Sequence, residues 1–336
     1  YVVWGTLYST VNIPYGSMAS VMTADPVERT TLSTWRNMGA ALAGMAINVL
    51  GPMIVFVDNK ISADRMFMTA CIFGVLAISC YMGCYKLSTE RIAIPEKEVE
   101  KGAFLRSVKS LLTNKPFLWV LAASLLAMTN QFIVQAVNTY LFKDYFANAG
   151  ALSIIGLVQT LSMFLVVPFV KPLVAKFGKK EISVVGMTIA SIIYIAMFFL
   201  KFTTTTPFIV LAALGYMAMC LYNMGTWAFI TDVIDYHEYL TSMREDATVY
   251  SIISMSRKVG QAVAGGIGGV AIAAVGYDAT VGTQSQDVLD GIYMLGTLVP
   301  GIFYAIIAVV LFMYPLSKQK TIQLGKDLAA RRNANQ

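Results

Sequence analysis

Long apolar runs punctuate this sequence and leave it few ways to fold. Bounded by charges, proline or turn clusters, they cover residues 1–23, 31–56, 66–85, 117–142, 152–174, 182–202, 207–232, 248–276 and 291–314. Each approaches or exceeds the roughly 20 apolar residues that a helix needs to cross a bilayer. Backbone groups left unpaired in hydrocarbon cost several kcal/mol apiece, so such runs are satisfied as helices. Hydrophobic residues make up 57% of the chain and charged residues 13%, against about 25% charged in soluble domains. An ordinary soluble enzyme is excluded, and the expectation is an all-α, multi-pass integral membrane protein.

Basic residues collect in the cytoplasmic loops of membrane proteins, and here they divide sharply. Lys60, Arg65, Lys143 and Lys201 fall in one set of alternate loops, while Arg257 and Lys258 fall inside a run. The rest of the 25 basic residues lie in, or at the edge of, the opposite loops and the tail. That places the carboxyl terminus in the cytoplasm and accounts for the net charge of +6 without a nucleic-acid-binding face. Cys71, Cys80, Cys84 and Cys220 all sit in apolar runs and suggest no disulfide framework. No cleavable signal precedes the first run, which opens at Tyr1, so the sequence reads as one whose beginning is absent.

The longest polar connection, 87–116, separates three runs from six. Transporters built as two six-helix halves carry a long cytoplasmic connection at this point. The chain is therefore expected to divide into 1–86, the last three helices of a first half; 87–116, a cytoplasmic linker; 117–316, a six-helix second half; and 317–336, a cytoplasmic tail. The runs 66–85, 182–202 and 291–314 contain no Asn, Gln or interior charge, whereas the others carry polar groups within or beside them. Every third helix then reads as lipid-facing scaffold and the rest as cavity wall.

Polar side chains at bilayer depth are costly and usually face water or a partner. Lys258 lies ten residues beyond Thr248, about 15 Å along a helix. Ser254 and Gln261 share its face, and Arg257 points roughly 100° away. Lys258 serves either a substrate or a structural carboxylate elsewhere. Tyr8, Asn12 and Tyr15 recur at i, i+4 and i+7, as do Gln131, Gln135 and Asn138; Asn223 and Trp227 are one turn apart. Such stripes fit either interhelical hydrogen bonding or a cavity lined with uncharged donors and acceptors, which suits a neutral polyol. Asp25, Pro26 and Glu28 form a capping box that predicts a short helix. Arg29 and Arg36 follow it, and across the sequence Asp232, Asp235 and Glu238 precede Arg244. These opposed clusters read as an ionic gate on the cytoplasmic side or as a solvated surface. His237 has no metal-ligand set around it, and the glycine run 265–269 lacks the strand and lysine of a phosphate loop. Gly265 and Gly269 fit close helix packing instead. No carboxylate pair is spaced for glycoside hydrolysis, so no enzyme, no metal and no bound cofactor are expected.

The stretch Asn12-Ile-Pro-Tyr-Gly-Ser17, with Met22 to Arg29 and Leu32-Ser-Thr-Trp-Arg36, resembles the fourth and fifth helices of glycoside-pentoside-hexuronide cation symporters. Thr231-Asp-Val-Ile-Asp-Tyr-His-Glu238, Arg244, Tyr250-Ser251 and Arg257-Lys-Val-Gly260 are similar to helices ten and eleven of that family. The resemblance implies the major facilitator fold, with nine of its twelve transmembrane helices, numbers 4 to 12, present in this chain. It implies that Tyr8, Asn12, Arg36 and Lys258 are sugar-site positions, joined by Gln131, Gln135, Asn223, Trp227 and Ser254 from the polar stripes. It assigns Arg29, Asp232, Asp235 and Arg244 to the cytoplasmic charge network, beside Asp25 and Glu28. Asn12 stands where melibiose carriers have Asp, and Gly16 where they have Trp, so the wording is closer to the xyloside and glucuronide branch. The expected function is symport of a glycoside or oligosaccharide with Na⁺ or H⁺ across a bacterial inner membrane. The main coupling-cation site is expected on the absent first helices. The rival readings are a lysolipid-type carrier of the same fold and a membrane sugar sensor that does not transport.

Overall fold

A computed structural model describes residues 63–89 and 109–334, apart from 149, 242–245 and 282. Before residue 63 it describes 38–47 and the positions 3, 7, 8, 10, 11, 15, 18, 22, 32, 35, 36, 54, 56, 57, 60 and 61. The chain divides into two compact units, Tyr1–Val99 and Glu100–Gln336.

In the first unit, the described positions from 3 to 36 are helical, followed by the short apolar helix α1 (Met38–Ile47). A small antiparallel pair comes next, β1 (Phe56–Val57) and β2 (Lys60–Ile61), with Phe56 opposite Ile61 and Val57 opposite Lys60. Helix α2 (Ala63–Leu87) has Asp64 in its first turn and Lys86 in its last, both matched to the helix dipole. It is apolar around its whole circumference, with Met66, Phe67, Ile72, Val75, Ile78 and Met82 exposed within the unit. A helix of that kind belongs in lipid or a protein core.

The second unit begins with α3 (Lys115–Tyr140). Asn114 caps it by accepting from the Phe117 amide at 3.2 Å, and Pro116 fills an early position where no amide is needed. The helix runs on into a single π-turn, Leu141–Tyr145. Then come α4 (Ala151–Phe177), α5 (Lys179–Leu200), α6 (Thr205–Thr241) and α7 (Asp246–Ala274). The chain closes with α8 (Gln286–Gly296), α9 (Leu298–Met313) and α10 (Lys318–Ala334).

The run 291–314 is thus two helices rather than one. Pro300 offers no amide to the carbonyl one turn earlier, and the chain breaks at Thr297, whose backbone leaves the helical region at φ −127°, ψ −68°. The Thr297 hydroxyl donates to the Tyr293 carbonyl at 2.6 Å and bridges the break. Helix α6 also departs from expectation: its 37 residues span about 55 Å, well beyond the roughly 30 Å of hydrocarbon. Its extension past Asp232 continues the buried stripe Ile230, Val233, Ile234 and His237.

Helix α5 packs against α6 and α9, α3 against α7 and α9, and α4 against α6. Gly301 lets α9 press onto α5, for a side chain there would meet Ile195 Cγ1 at 2.7 Å. Between α3 and α7 the close approach falls at Gly260, facing the Leu125 carbonyl and Met128, and at Gly268, facing Ala136. Gly265 and Gly269, expected at such a contact, have no described atom within 4 Å of an added Cβ. Six described helical segments are long and apolar enough to cross a membrane: Ala63–Leu87, Lys115–Tyr145, Ala151–Val170, Lys179–Leu200, Thr205–Thr241 and Gln286–Met313. The chain is a multi-pass, helical membrane protein.

Candidate functional site

The contacts of Gly260 with Leu125 and Met128, and of Gly268 with Ala136, rise together in both sequences, so α3 and α7 lie parallel. At 3.6 residues per turn, this seam fixes where the other side chains point. Gln131, Gln135 and Thr139 lie about a quarter to a third of a turn to one side of the seam on α3, or nearer for Thr139. Ser254, Gln261 and Lys258 lie at a similar angle in the opposite sense on α7. For two parallel helices facing each other, those opposite rotations are the same side of the pair. All six residues are exposed within the unit, so one flank of α3 and α7 is a polar strip that carries an ammonium group. Gln131 stands about 9 Å further along the axis than Lys258.

Arg257 turns the other way, as its spacing predicts: it is half-buried and faces Tyr222 of α6. Asn138 also leaves the strip. It is 9% exposed and lies against Tyr216, which in turn meets Tyr194, while Tyr194 and Tyr304 pack edge to face at 5.3 Å. Thr139 takes its place, a residue that i, i+4 spacing from Gln135 could have revealed. Asn223 is half-buried on α6, with Trp227 one turn further along that helix. A shallow depression on α7, lined by Ala262, Val263, Gly266, Ile267, Val270 and Ala271, offers no polar side chain.

In the first unit, Tyr8 is 44% exposed on helical backbone. The Arg36 guanidinium lies over the Tyr15 ring, 5.0 Å from its centroid, a cation–π contact that sequence spacing does not reveal. Asn12, Asp25, Glu28, Arg29 and Arg244 lie outside the described residues.

Asp232 and Asp235 both lie on the extension of α6. Asp235 is half-buried. Asp232 is 4% exposed, and its carboxylate meets Lys179 Nζ at 2.5 Å, with Thr321 Oγ1 at 3.5 Å. Lys179 also donates to the Ala228 carbonyl at 2.9 Å. Sequence reading missed Lys179 as this partner because the two are far apart in the chain. At the other end of the unit, Lys201 Nζ holds Asp290 Oδ2 at 2.8 Å, and that hydrogen bond pushes the Lys201 pKa up. In the loop after α7, Asp278 accepts from the Thr280 hydroxyl at 2.6 Å and its amide at 2.8 Å. These bonds hold the Asp278 carboxyl below the usual carboxylate range.

The exposed faces of the unit differ in kind. On α9 the exposed residues Ile302, Ile306, Val309, Phe312 and Met313 are all apolar. On α5 they are apolar except Thr188, whose hydroxyl is returned to the Val184 carbonyl at 2.8 Å. Lipid accepts such faces, whereas the strip on α3 and α7 calls for water or a polar partner. A membrane-embedded helical bundle with an apolar outer face and a polar flank at bilayer depth has the form of a membrane transport protein.

The family model described as MFS/sugar transport protein matches residues 1–318. The chain belongs to this major facilitator family, whose members are transporters rather than enzymes. It is 32% identical to the uncharacterized symporter YjmB of Bacillus subtilis, over 98% of this chain and 71% of that protein. It is 27% identical to the glucuronide carrier protein homolog of Escherichia coli, over 100% of this chain and 73% of the relative. The putative glycoside/cation symporter YagG of Escherichia coli is also 27% identical, over 99% and 72% respectively.

Proposed function

We propose that the protein is a secondary active symporter that carries a glycoside with Na⁺ or H⁺ by alternating access. The observation that carries this reading is the exposed flank of α3 and α7, where Gln131, Gln135, Ser254 and Lys258 stand at bilayer depth on one side of a packed helix pair. Amides and hydroxyls both donate and accept, as sugar hydroxyls do. Lys258 adds a cation that a substrate carboxylate would match through charge-assisted hydrogen bonds. Among the xyloside and glucuronide substrates that the sequence suggests, this favours a glucuronide-like glycoside. A relative named as a glucuronide carrier homolog supports that choice, and one named as a glycoside/cation symporter supports coupled glycoside transport. A lysolipid-type carrier would need an apolar lining in place of this strip. The excess of basic residues in one set of loops supports a cytoplasmic carboxyl terminus in a bacterial inner membrane. Tyr8, Asn12, Arg36, Asn223 and Trp227 complete the proposed sugar site, and Asp25, Glu28, Arg29, Asp232, Asp235 and Arg244 the cytoplasmic gate.

The test is uptake of radiolabelled glucuronides and xylosides by cells expressing the gene, under separately imposed Na⁺ and proton gradients. Accumulation driven by one gradient is the expected result. Saturable binding of a glycoside with no counterflow in vesicles would replace the carrier with a sensor, and neither binding nor uptake of any glycoside would overturn the reading.

A further inference from the structure

A cluster of lysines at the junction of α4, α5 and α9 is absorbed by neither the polar strip nor the Asp232 pair. Lys318 Nζ donates to the Ala175 carbonyl at 2.6 Å and the Lys176 carbonyl at 3.1 Å, and Lys180 Nζ donates to the Tyr314 carbonyl at 2.6 Å. Both ammonium groups therefore sit at helix ends, where the dipole favours a cation. Lys180 Nζ also lies 5.7 Å from the centroid of the Phe312 ring, and Lys176 Nζ lies 5.1 Å from that of Phe177. The rings themselves are open: Phe177 is 52% exposed and Phe312 70%. Phe312 is the penultimate residue of α9, which ends the apolar segment Gln286–Met313. Its ring thus marks the depth at which hydrocarbon gives way to headgroups, with ammonium groups immediately beside it.

Charge accounting points to the occupant. Lys179 is matched by Asp232. Glu181 turns its Oε2 toward Gly178 and the Lys318 stem, and that oxygen is buried without a hydrogen-bond partner. Beside the Lys179–Asp232 pair, the described residues of this junction thus bring three ammonium groups, those of Lys176, Lys180 and Lys318, and one carboxylate, that of Glu181. Each ammonium has three protons to donate, and the backbone carbonyls named above take only part of that supply. An anion with several acceptor oxygens, fixed to acyl chains that can lie on Phe177 and Phe312, satisfies both the charge surplus and the exposed rings. We infer that this junction is a binding site for the headgroup of an anionic phospholipid such as phosphatidylglycerol. The lipid would tie the ends of α4, α5 and α9 together.

The experiment measures thermal unfolding of the purified protein in neutral detergent, with added phosphatidylglycerol, phosphatidylcholine or inorganic phosphate. Phosphatidylglycerol is expected to raise the midpoint saturably, with the other two inactive. Lys176→Gln, which leaves the carbonyl bonds of Lys180 and Lys318 in place, should weaken the apparent affinity about fivefold, and Lys176→Gln with Lys180→Gln about twenty- to thirtyfold. Lipid-free midpoints of the variants separate lost binding from lost folding, and native mass spectrometry of bound lipid supplies a second readout. Equal stabilisation by phosphatidylcholine, equal stabilisation by inorganic phosphate, or unchanged affinity in the Lys176→Gln variant would each overturn the assignment. None of these measurements depends on transport.

Discussion

At the residue scale, the ion pair of Asp232 with Lys179 is far less exposed than that of Lys201 with Asp290. Asp232 is buried and Lys179 half-buried, 2.5 Å apart, with Ala228 and Thr321 supplying further hydrogen bonds. Breaking a buried pair by removing one partner costs about 3–5 kcal/mol, whereas replacing both with apolar groups is often neutral. Asp232→Asn is therefore expected to lower stability by about 3 kcal/mol. The double variant Asp232→Leu with Lys179→Met should recover most of it in denaturant or thermal unfolding. A double variant no more stable than Asp232→Asn would show that charge compensation is not what the pair provides. Asp278 offers a pH test. Its carboxyl is held down by the Thr280 hydroxyl and amide, so this contribution to loop order is complete above the ordinary value of 3.8. It fades as the pH falls through the depressed native value. Hydrogen exchange at the Thr280 amide, corrected for its intrinsic pH dependence, should lose protection in that window, and Asp278→Ala should be unprotected throughout.

At the scale of elements, packing depends on where helices touch. An added side chain at Gly301 would meet Ile195 Cγ1 at 2.7 Å and the Ile195 amide nitrogen at 3.1 Å, and Ser191 already donates to the Gly301 carbonyl at 2.8 Å. Gly301→Val is expected to cost at least about 1–3 kcal/mol through overpacking. Gly265→Val, with open space around it in the unit, should leave the unfolding midpoint close to that of the parent protein. Equal losses at the two sites would contradict the α5/α9 contact. The helical runs were legible because hydrophobicity alone forces helix in lipid. Their ends were less so, since hydropathy reports depth and not hydrogen bonding. Asp232 to Glu238 read as the end of a span, yet Ile230, Val233, Ile234 and His237 continue the 3.6-residue stripe that keeps α6 going. The charged tail likewise conceals α10, whose Leu324 and Leu328 are buried one turn apart while Arg331 stacks 4.3 Å over the Tyr239 ring. Pro300 was the available sign of the break at Thr297.

At the largest scale the structure describes, the second unit, the polar flank of α3 and α7 contrasts with the apolar faces of α5 and α9. Sequence spacing found Gln131, Gln135, Ser254 and Lys258 on their own helices, but only the parallel seam through Gly260 and Gly268 shows that the two stripes share a flank. Asn138 has the right spacing and the wrong neighbour, because Tyr216 draws it inward. A paired experiment separates the two surfaces. Ile302, 45% exposed on an all-apolar face and close to the middle of the segment Gln286–Met313, should reject charge: Ile302→Asp carries the roughly 2.5–3.5 kcal/mol insertion cost of an aspartate at mid-helix, so membrane-inserted protein should fall. Gln135→Leu and Lys258→Met, on the polar flank, should insert at least as well as the parent because they remove polar groups. They should nevertheless weaken glycoside binding, Lys258→Met by tenfold or more for a glucuronide, as expected for loss of a charge-assisted hydrogen bond worth about 1.5–3 kcal/mol. Insertion measured by quantitative immunoblot of washed membranes, with binding in the same membranes, distinguishes the cases. If Lys258→Met inserted normally and bound glucuronides as tightly as the parent, the ammonium would be a structural counter-charge, and the polar flank would lose its place as the wall of a sugar pathway.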